Sequence, residues 1–525
     1  MATQLWRNAE IVTMDAAMPR ARALVVRDGL VDFVGDEGAA IARAGAGAEV
    51  RDLGGLTVVP GFNDNHVHAV FMGDHALALD LGGLDEGGIV ALLRERFPNP
   101  LPDEVIRAFN WDYPACPNPR KELLDEFFPR NPVVLSQFSG HAQWLNSAAL
   151  RAIGIQYGDP KAGPGRPMPS VLRDPDGETT GIVRDLGDTS LSKMRSHAVY
   201  FNRRMREQRL DLALEAFARL GITSVQDNTW FYPELFSLRK RLDAGTLSAR
   251  FTTWFLGRQP RSVAAMRAAY VLGLGDRDWI REGPEKHFLD GTFSTRNACL
   301  FEPFADSSGG EIRTDPAPPI DELERLARKR RQGAFHIIGD KGIAIFLDAY
   351  ERVLSHRPRL MELRIRIEHA QLIRPDDIPR LRDLGILVSA QPTALENPAK
   401  DRLLLGPERA LRAYPYRSLL DAGVHLSFGS DIPGESNCDP IRSIHMVANR
   451  EGPERISAEE ALRCYTVGSA YAEFSEGRKG VLAPGMLADF TVLSQDITSV
   501  PRERIGDTHV EETVVGGRTV YRRGI

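Results

Sequence analysis

Apolar and polar positions alternate along this chain in two different styles. Over residues 5–60 short strand-like runs are cut by turns, as in Ala23-Leu24-Val25-Val26 before Asp28-Gly29 and Val31-Asp32-Phe33-Val34 before Gly35. Such runs bounded by Gly and Asp read as hairpin strands. The tail is written the same way, with strand-like stretches at 488–493 and 510–521 joined by Gly and Pro turns. Both ends are therefore expected to build one small β-sandwich from residues 1–56 and 477–525.

Between the ends, short apolar runs are followed by polar or Gly residues and then, mostly, by longer segments of helical character, an α/β pattern that predicts a parallel sheet. Eight candidate strands fall at 57–60, 222–226, 251–256, 286–289, 334–338, 364–368, 386–390 and 424–428. Eight is the number that closes a (β/α)8 TIM barrel, here assigned to residues 57–476. The gap between the first two candidates, roughly 70–220, is far too long for a barrel loop and contains Gly- and Pro-rich pieces such as Lys161-Ala162-Gly163-Pro164-Gly165-Arg166-Pro167. It is expected to hold an inserted cap.

Composition changes the picture mainly by exclusion. Hydrophobic residues make up 42% and charged residues 26% of 525 residues, enough to bury a large core unaided. Lys plus Arg total 66 against 71 Asp plus Glu, a net charge of -5, with no basic run long enough to track a phosphate backbone. A nucleic-acid partner is not expected. Cys116, Cys299, Cys438 and Cys464 are scattered without a Cys-x-x-Cys pair, which argues against a thiolate zinc knuckle or a disulfide framework. With no apolar leader and no run of about 20 apolar residues, no membrane association is expected and a cytoplasmic location is.

The candidate chemistry starts at Pro60-Gly61-Phe62-Asn63-Asp64-Asn65-His66-Val67-His68. Two histidines two apart in extended chain project to one face and can grip one ion. Alone the pair is weak, since such histidines also occur as hydrogen-bonded surface pairs. His336, His369 and Asp431 each follow an apolar run where a barrel strand would end, and in a TIM barrel the C-terminal strand ends converge on one mouth. A set of imidazoles with a carboxylate and no thiolate suits zinc, with manganese, iron or cobalt as alternatives.

These segments, together with Gly140-His141-Ala142-Gln143-Trp144-Leu145-Asn146-Ser147, Leu289-Asp290-Gly291-Thr292, His336-Ile337-Ile338-Gly339-Asp340, Ile367-Glu368-His369-Ala370, Gly429-Ser430-Asp431 and the tail from Arg478 to Phe490, resemble the amidohydrolase superfamily. Within it they resemble the YtcJ-like group, amidohydrolase family 3, which includes N-substituted formamide deformylases. The resemblance runs over nearly the whole chain. It implies that His66, His68 and Asp431 hold one metal ion and His336 and His369 a second. Lys286, carboxylated by carbon dioxide, would bridge the two. Such a carbamate supplies two anionic oxygens where an amine supplies none. Asp290, on the same strand face as Lys286 by period-two counting, is a competing group there or a substrate contact. Trp111 and His141 are implied to lie near the substrate, or else to pack the cap.

The implied reaction is hydrolysis of an amide or related C–N bond (formamide, carbamate, urea or cyclic amide) by a metal-bound hydroxide, with Asp431 as general base. A deaminase is the nearest rival, but those relatives carry a glutamate three residues after the strand-five histidine, where Gly339 stands here. An ester, lactone or phosphoester hydrolase would use the same metals, and a non-enzymatic metal-binding regulator remains a further alternative. The expected partner is a small-molecule substrate, with a homodimer left open.

Overall fold

A computed structural model of the chain describes residues 3–101, 104–154, 170–184, 201–229, 231–257, 260–306 and 315–524. The Gly- and Pro-rich stretch at 161–167 lies outside them.

Eight parallel strands form the central sheet in sequence order: Phe62–Val67, Ile222–Asp227, Arg250–Leu256, Ile280–Phe288, Gly333–Ile337, Arg366–His369, Leu387–Ala390 and Leu426–Phe428. Each pairs in parallel with the next. The barrel closes just beyond the ladder, where Asp431 N–H donates to His66 O at 2.6 Å and His68 N–H to Ile432 O at 2.9 Å. Gly429 permits this approach. A Cβ there would lie 2.5 Å from His66 N and 2.8 Å from Asp64 Oδ1, so strand eight could not reach strand one with any larger residue.

Seven of the eight sequence-derived strands overlap barrel strands; the first does not. Thr57–Pro60 pairs antiparallel with Phe490–Leu493 and parallel with Glu10–Val12, inside the terminal β unit. Barrel strand one is the next segment, Phe62–Val67, whose six residues are all buried. It was hidden because Asn63, Asp64, Asn65 and His66 look like a loop on polarity alone. Inside a barrel such side chains can find partners on other strands, as when Ser389 Oγ donates to Asn65 Oδ1 at 3.0 Å.

The terminal unit stacks a four-stranded sheet (Leu30–Gly35, Ala23–Arg27, Gln4–Arg7, Glu49–Asp52) on a six-stranded one built from both chain ends. Trp6 and Phe490 meet edge to face at 4.9 Å in their shared core. A buried bidentate pair, Arg250 to Asp489 at 2.5 and 2.8 Å, ties this unit to barrel strand three.

The insertion is a second mixed sheet of six strands, ordered Ser170–Arg173, Thr179–Arg184, Ala142–Leu145, Val133–Gln137, Ile106–Trp111 and Leu79–Asp80. It has its own core around Trp111, Trp144, Phe128 and Leu135. The interval 70–220 contains this insertion and one barrel helix. Helix Arg203–Arg219 buries Leu210, Ala213, Leu214 and Phe217 in the barrel's core, so it belongs to the barrel ring. Among the described residues no helix is long and apolar enough to cross a membrane, and all four cysteines are buried free thiols.

Candidate metal centre

Strand ends deliver the candidate ligands. His66 leaves strand one, with His68 just beyond it. The two rings lie 5.7 Å apart between centroids, and each Nε2 is 3.3 Å from Asp431 Oδ1. One ligand atom from each of these three residues falls within 4.8 Å of the others. His336 and His369, from strands five and six, face each other at 4.3 Å between ring centroids, and His369 is 5.4 Å from His66. Lys286 Nζ is 3.3 Å from His66 Nε2. All six residues that sequence placed at the metals therefore meet at one rim.

Two of them reach it through unusual backbone. Glu368 and His369 are consecutive in a strand, where side chains should alternate faces, yet both turn toward the site. His369 has φ 76° and Ala370 φ 45°, and Asp431 has φ 56°. Left-handed conformations at non-glycine residues cost on the order of 1–3 kcal/mol each and gather at functional sites.

The rings of His66, His369 and His336 are each oriented by a second partner. His66 Nδ1 lies 2.7 Å from Glu368 Oε2, His369 Nδ1 lies 2.7 Å from Gln391 Oε1, and His336 Nε2 lies 3.1 Å from Gly291 O. With one ring nitrogen engaged, the other is left to ligate, the usual arrangement of a metal-bound histidine. His369 Nε2 is buried and has no hydrogen-bond partner among the described residues, an orphan that a cation would satisfy. Burial holds His66, His336 and His369 well below the usual histidine pKa, which is the neutral form that binds metal. Burial alone would raise the Asp431 carboxyl, but His66, His68 and Lys286 hold it below the usual carboxylate range. Burial lowers Lys286 to about 8, against the attraction of Glu368 and Asp431. These residues fit divalent cations in donor type and in protonation state.

Glu368 was quoted in the sequence only as part of a motif. It is completely buried, and besides His66 it accepts from Arg366 Nε at 2.5 Å and Ser389 Oγ at 2.6 Å. Arg366, equally buried, spans to Gln226 Oε1 at 2.6 Å and Asn65 O at 3.0 Å. The Arg-x-Glu spacing in an extended run was the available signal, since it puts both groups on the barrel's inner face.

Two other expected site residues spend polar groups on the protein's own frame. Asp290 Oδ1 lies 3.9 Å from His336 Nε2. Its carboxylate accepts from the backbone N–H groups of Ile338, Gly339 and Cys299 at 2.8–2.9 Å, pinning the loop after strand five to the one after strand four. The strand runs Ile280–Phe288, so Lys286 lies near its end and Asp290 beyond it. Trp111 is fully buried in the core of the insertion, with Nε1 donating to Leu135 O at 2.9 Å. Its neighbours Asn110 and Asp112, not its ring, face the cavity. His141 does reach the site, its ring 5.2 Å from that of His336.

The ligands open into a cavity of about 430 Å³ whose walls include His141, His336, His369 and Asp431 from the rim, Asp112 from the insertion and Lys400 from helix Pro398–Leu405. Lys400 Nζ pairs with Asp112 at 3.2 Å across this mouth. The insertion is thus a wall of the site, and the volume suits a small molecule.

A TIM barrel with a His/His/Asp cluster at its C-terminal mouth and a β-sandwich from both ends defines a metal-dependent hydrolase class. The chain belongs to the amidohydrolase family, whose model matches residues 49–521. It is 28% identical to the Bacillus subtilis protein named "Putative amidohydrolase YtcJ", over 99% of both chains. It is 29% identical to the N-substituted formamide deformylase of Arthrobacter pascens over 98% of both. A plant relative, Protein LONG AFTER FAR-RED 3 of Arabidopsis thaliana, is 29% identical over 99% of this chain and 92% of its own. Among solved structures, a metal-dependent hydrolase from Pyrococcus furiosus superposes with TM-score 0.71 at 28% identity, covering 95% of this chain and 100% of the other.

Proposed function

We propose that this chain hydrolyses an amide or related C–N bond of a small molecule, such as a formamide, carbamate, urea or cyclic amide. The observation that carries this reading is the grouping of His66, His68 and Asp431 within 4.8 Å, beside Lys286 and the His336/His369 pair. The full-length similarity to an N-substituted formamide deformylase supports the choice of bond.

In this reading His66, His68 and Asp431 hold one divalent cation and His336 and His369 another, with zinc the best match to the donors. Lys286 would supply a carbamate as a further ligand, for which a buried amine lowered to about 8 is suited, because its neutral form is the nucleophile toward carbon dioxide. Cations held there polarise the scissile carbonyl and lower the pKa of water toward neutrality.

The chain's own residues do the rest. Asp431, kept ionised by its neighbours, accepts the proton of the attacking water and returns it to the departing nitrogen. His141, against His336 and on the cavity wall, contacts the substrate. The cap wall around Asp112 and Lys400 narrows solvent access to the reacting carbonyl.

The deciding experiment is metal analysis of the purified protein followed by turnover of a panel of N-substituted formamides, carbamates, ureas, cyclic amides, lactones and phosphoesters. Hydrolysis of at least one C–N substrate with two ions per chain is expected. Activity confined to lactones or phosphoesters would defeat the choice of bond, and fewer than one ion per chain would defeat the site.

A further inference from the structure

Helix Ala69–Ala76 starts immediately after His68, so His68 stands at the position of a capping residue. The first N–H groups of a helix have no partner within it, and a Ser, Thr, Asp or Asn side chain at the cap usually accepts from them. The His68 side chain makes no cap bond. Its ring is turned to Asp431 instead, with Nε2 3.3 Å from Oδ1. Ala69 is fully buried, so its N–H must find an acceptor inside the protein.

The acceptor comes from another strand. Asp227, the last residue of strand Ile222–Asp227, is completely buried, and its Oδ1 accepts from Ala69 N–H at 2.7 Å. Its other oxygen accepts from the Thr229 hydroxyl. The two peptide planes that flank the His68 Cα are thereby held in different ways. The one before it is fixed at both ends by backbone bonds, Asn228 N–H to Val67 O at 2.8 Å and His68 N–H to Ile432 O at 2.9 Å. The one after it has its carbonyl held within its own helix, by Met72 N–H at 2.8 Å, and its N–H held by Asp227. That last bond is the tie between this plane and the end of strand two. Peptide groups are rigid, so fixing both planes fixes the direction in which the His68 side chain leaves the backbone.

We infer that Asp227 is a positioning residue of the metal centre: it caps the helix from outside, so that the His68 imidazole serves a cation and not the helix. The inference rests on the reading of His68 as a metal ligand. Asp227 does not line the metal cavity. Its influence on a bound ion runs through the backbone at Ala69.

Two measurements test this. The full chain, stripped of metal, is titrated with cobalt(II) against a competing chelator and followed by visible absorption. Asp227→Ala should bind cobalt about 10–100-fold more weakly than wild type, the scale on which partners behind a metal ligand act, with altered absorption bands. Asp227→Asn keeps an oxygen for Ala69 N–H, its amide can donate to the Thr229 hydroxyl, and it should recover most of that loss. Leu235→Ala, a buried truncation in helix Pro233–Asp243 after strand two, controls for plain destabilisation and should keep wild-type affinity. Equal affinity in wild type and Asp227→Ala, no recovery in Asp227→Asn, or an equal loss in Leu235→Ala each overturns the inference. Asp227→Leu, which fills a similar volume without the acceptor, serves if Asp227→Ala does not fold. Crystal structures of the same proteins give a readout that needs no bound ion. The His68 ring should move from Asp431 by more than about 0.5 Å in Asp227→Ala, the tolerance of a working site, and return in Asp227→Asn. Wild-type protein that takes up no cobalt would defeat the hydrolytic reading, while the ring position still decides the role of Asp227. An unmoved ring overturns that role even where wild type binds cobalt.

Discussion

Glu368 Oε2 stands 2.7 Å from His66 Nδ1, and both groups are completely buried. A carboxylate behind a ligand histidine fixes the ring's tautomer and raises its basicity. The same carboxylate is bound by Arg366, so one buried cation and one buried anion share the task of aiming His66. Glu368→Gln should weaken metal binding about 10–100-fold while the fold persists, read by competition with a chromophoric chelator. Equal affinity in wild type and variant would mean that Glu368 only neutralises Arg366.

Asp431→Asn should reduce kcat on the order of 10²–10⁴-fold, the usual contribution of a positioned general base. Because the amide oxygen can still ligate, metal content should fall less than activity does. Steady-state kinetics alongside elemental analysis separates the two effects. A variant that retains wild-type kcat would remove Asp431 from proton transfer.

On the proposed binuclear reading, Lys286→Met should lose the carbamate and with it one of the two ions. Wild-type protein equilibrated with ¹³C-bicarbonate should show a carbamate carbonyl resonance that is missing from the variant. Two ions per chain in the variant would show that the lysine is not a bridge.

Asp290→Asn should behave differently from any ligand variant. Three backbone N–H groups converge on the Asp290 carboxylate, and an amide offers them one oxygen and a clashing donor. The expected result is a stability loss of about 2–4 kcal/mol in urea unfolding, with the metal stoichiometry of the folded protein unchanged. Loss of an ion without loss of stability would return Asp290 to the metal site.

His425 gives a pH dependence away from the centre. Its ring lies 3.7 Å from that of Tyr471, and burial, with Arg364 nearby, lowers its pKa from 6.5 to about 4. Between these values the unfolded chain holds a proton on His425 that the folded chain refuses. Stability therefore falls as pH drops from 6.5 toward 4 and is fully present above 6.5. His425→Phe should remove close to one proton from the linkage, measured as a shallower slope of unfolding free energy between pH 4.5 and 6.5. An unaltered slope would place the linkage on other groups.

Much of this was written in the local pattern. Short apolar runs located seven barrel strands, because a strand buried on both faces must be apolar along most of its length. Period-two runs at the two ends announced the β unit. His66 and His68 were legible as a His-x-His pair, and His336, His369 and Asp431 because each stands where a run stops, and a parallel barrel gathers such positions at one mouth. The run at 57–60 misled for the same reason that the others succeeded: it is apolar and buried, but its partners are Phe490–Leu493 and Glu10–Val12.

By itself, then, the order of residues determined the architecture and singled out the histidines and Asp431 as candidate ligands, since both follow from rules on spacing and burial that act over a few residues. Tertiary structure alone decided that Phe62–Val67 opens the barrel, that Glu368 aims His66, that Asp290 braces a loop and that Trp111 packs the insertion. These outcomes depend on which side chains meet across hundreds of residues. A buried carboxylate or indole has the same local sequence signature whether it meets a metal ligand, a backbone amide or a neighbouring ring, and only the folded geometry supplies the partner that fixes its role.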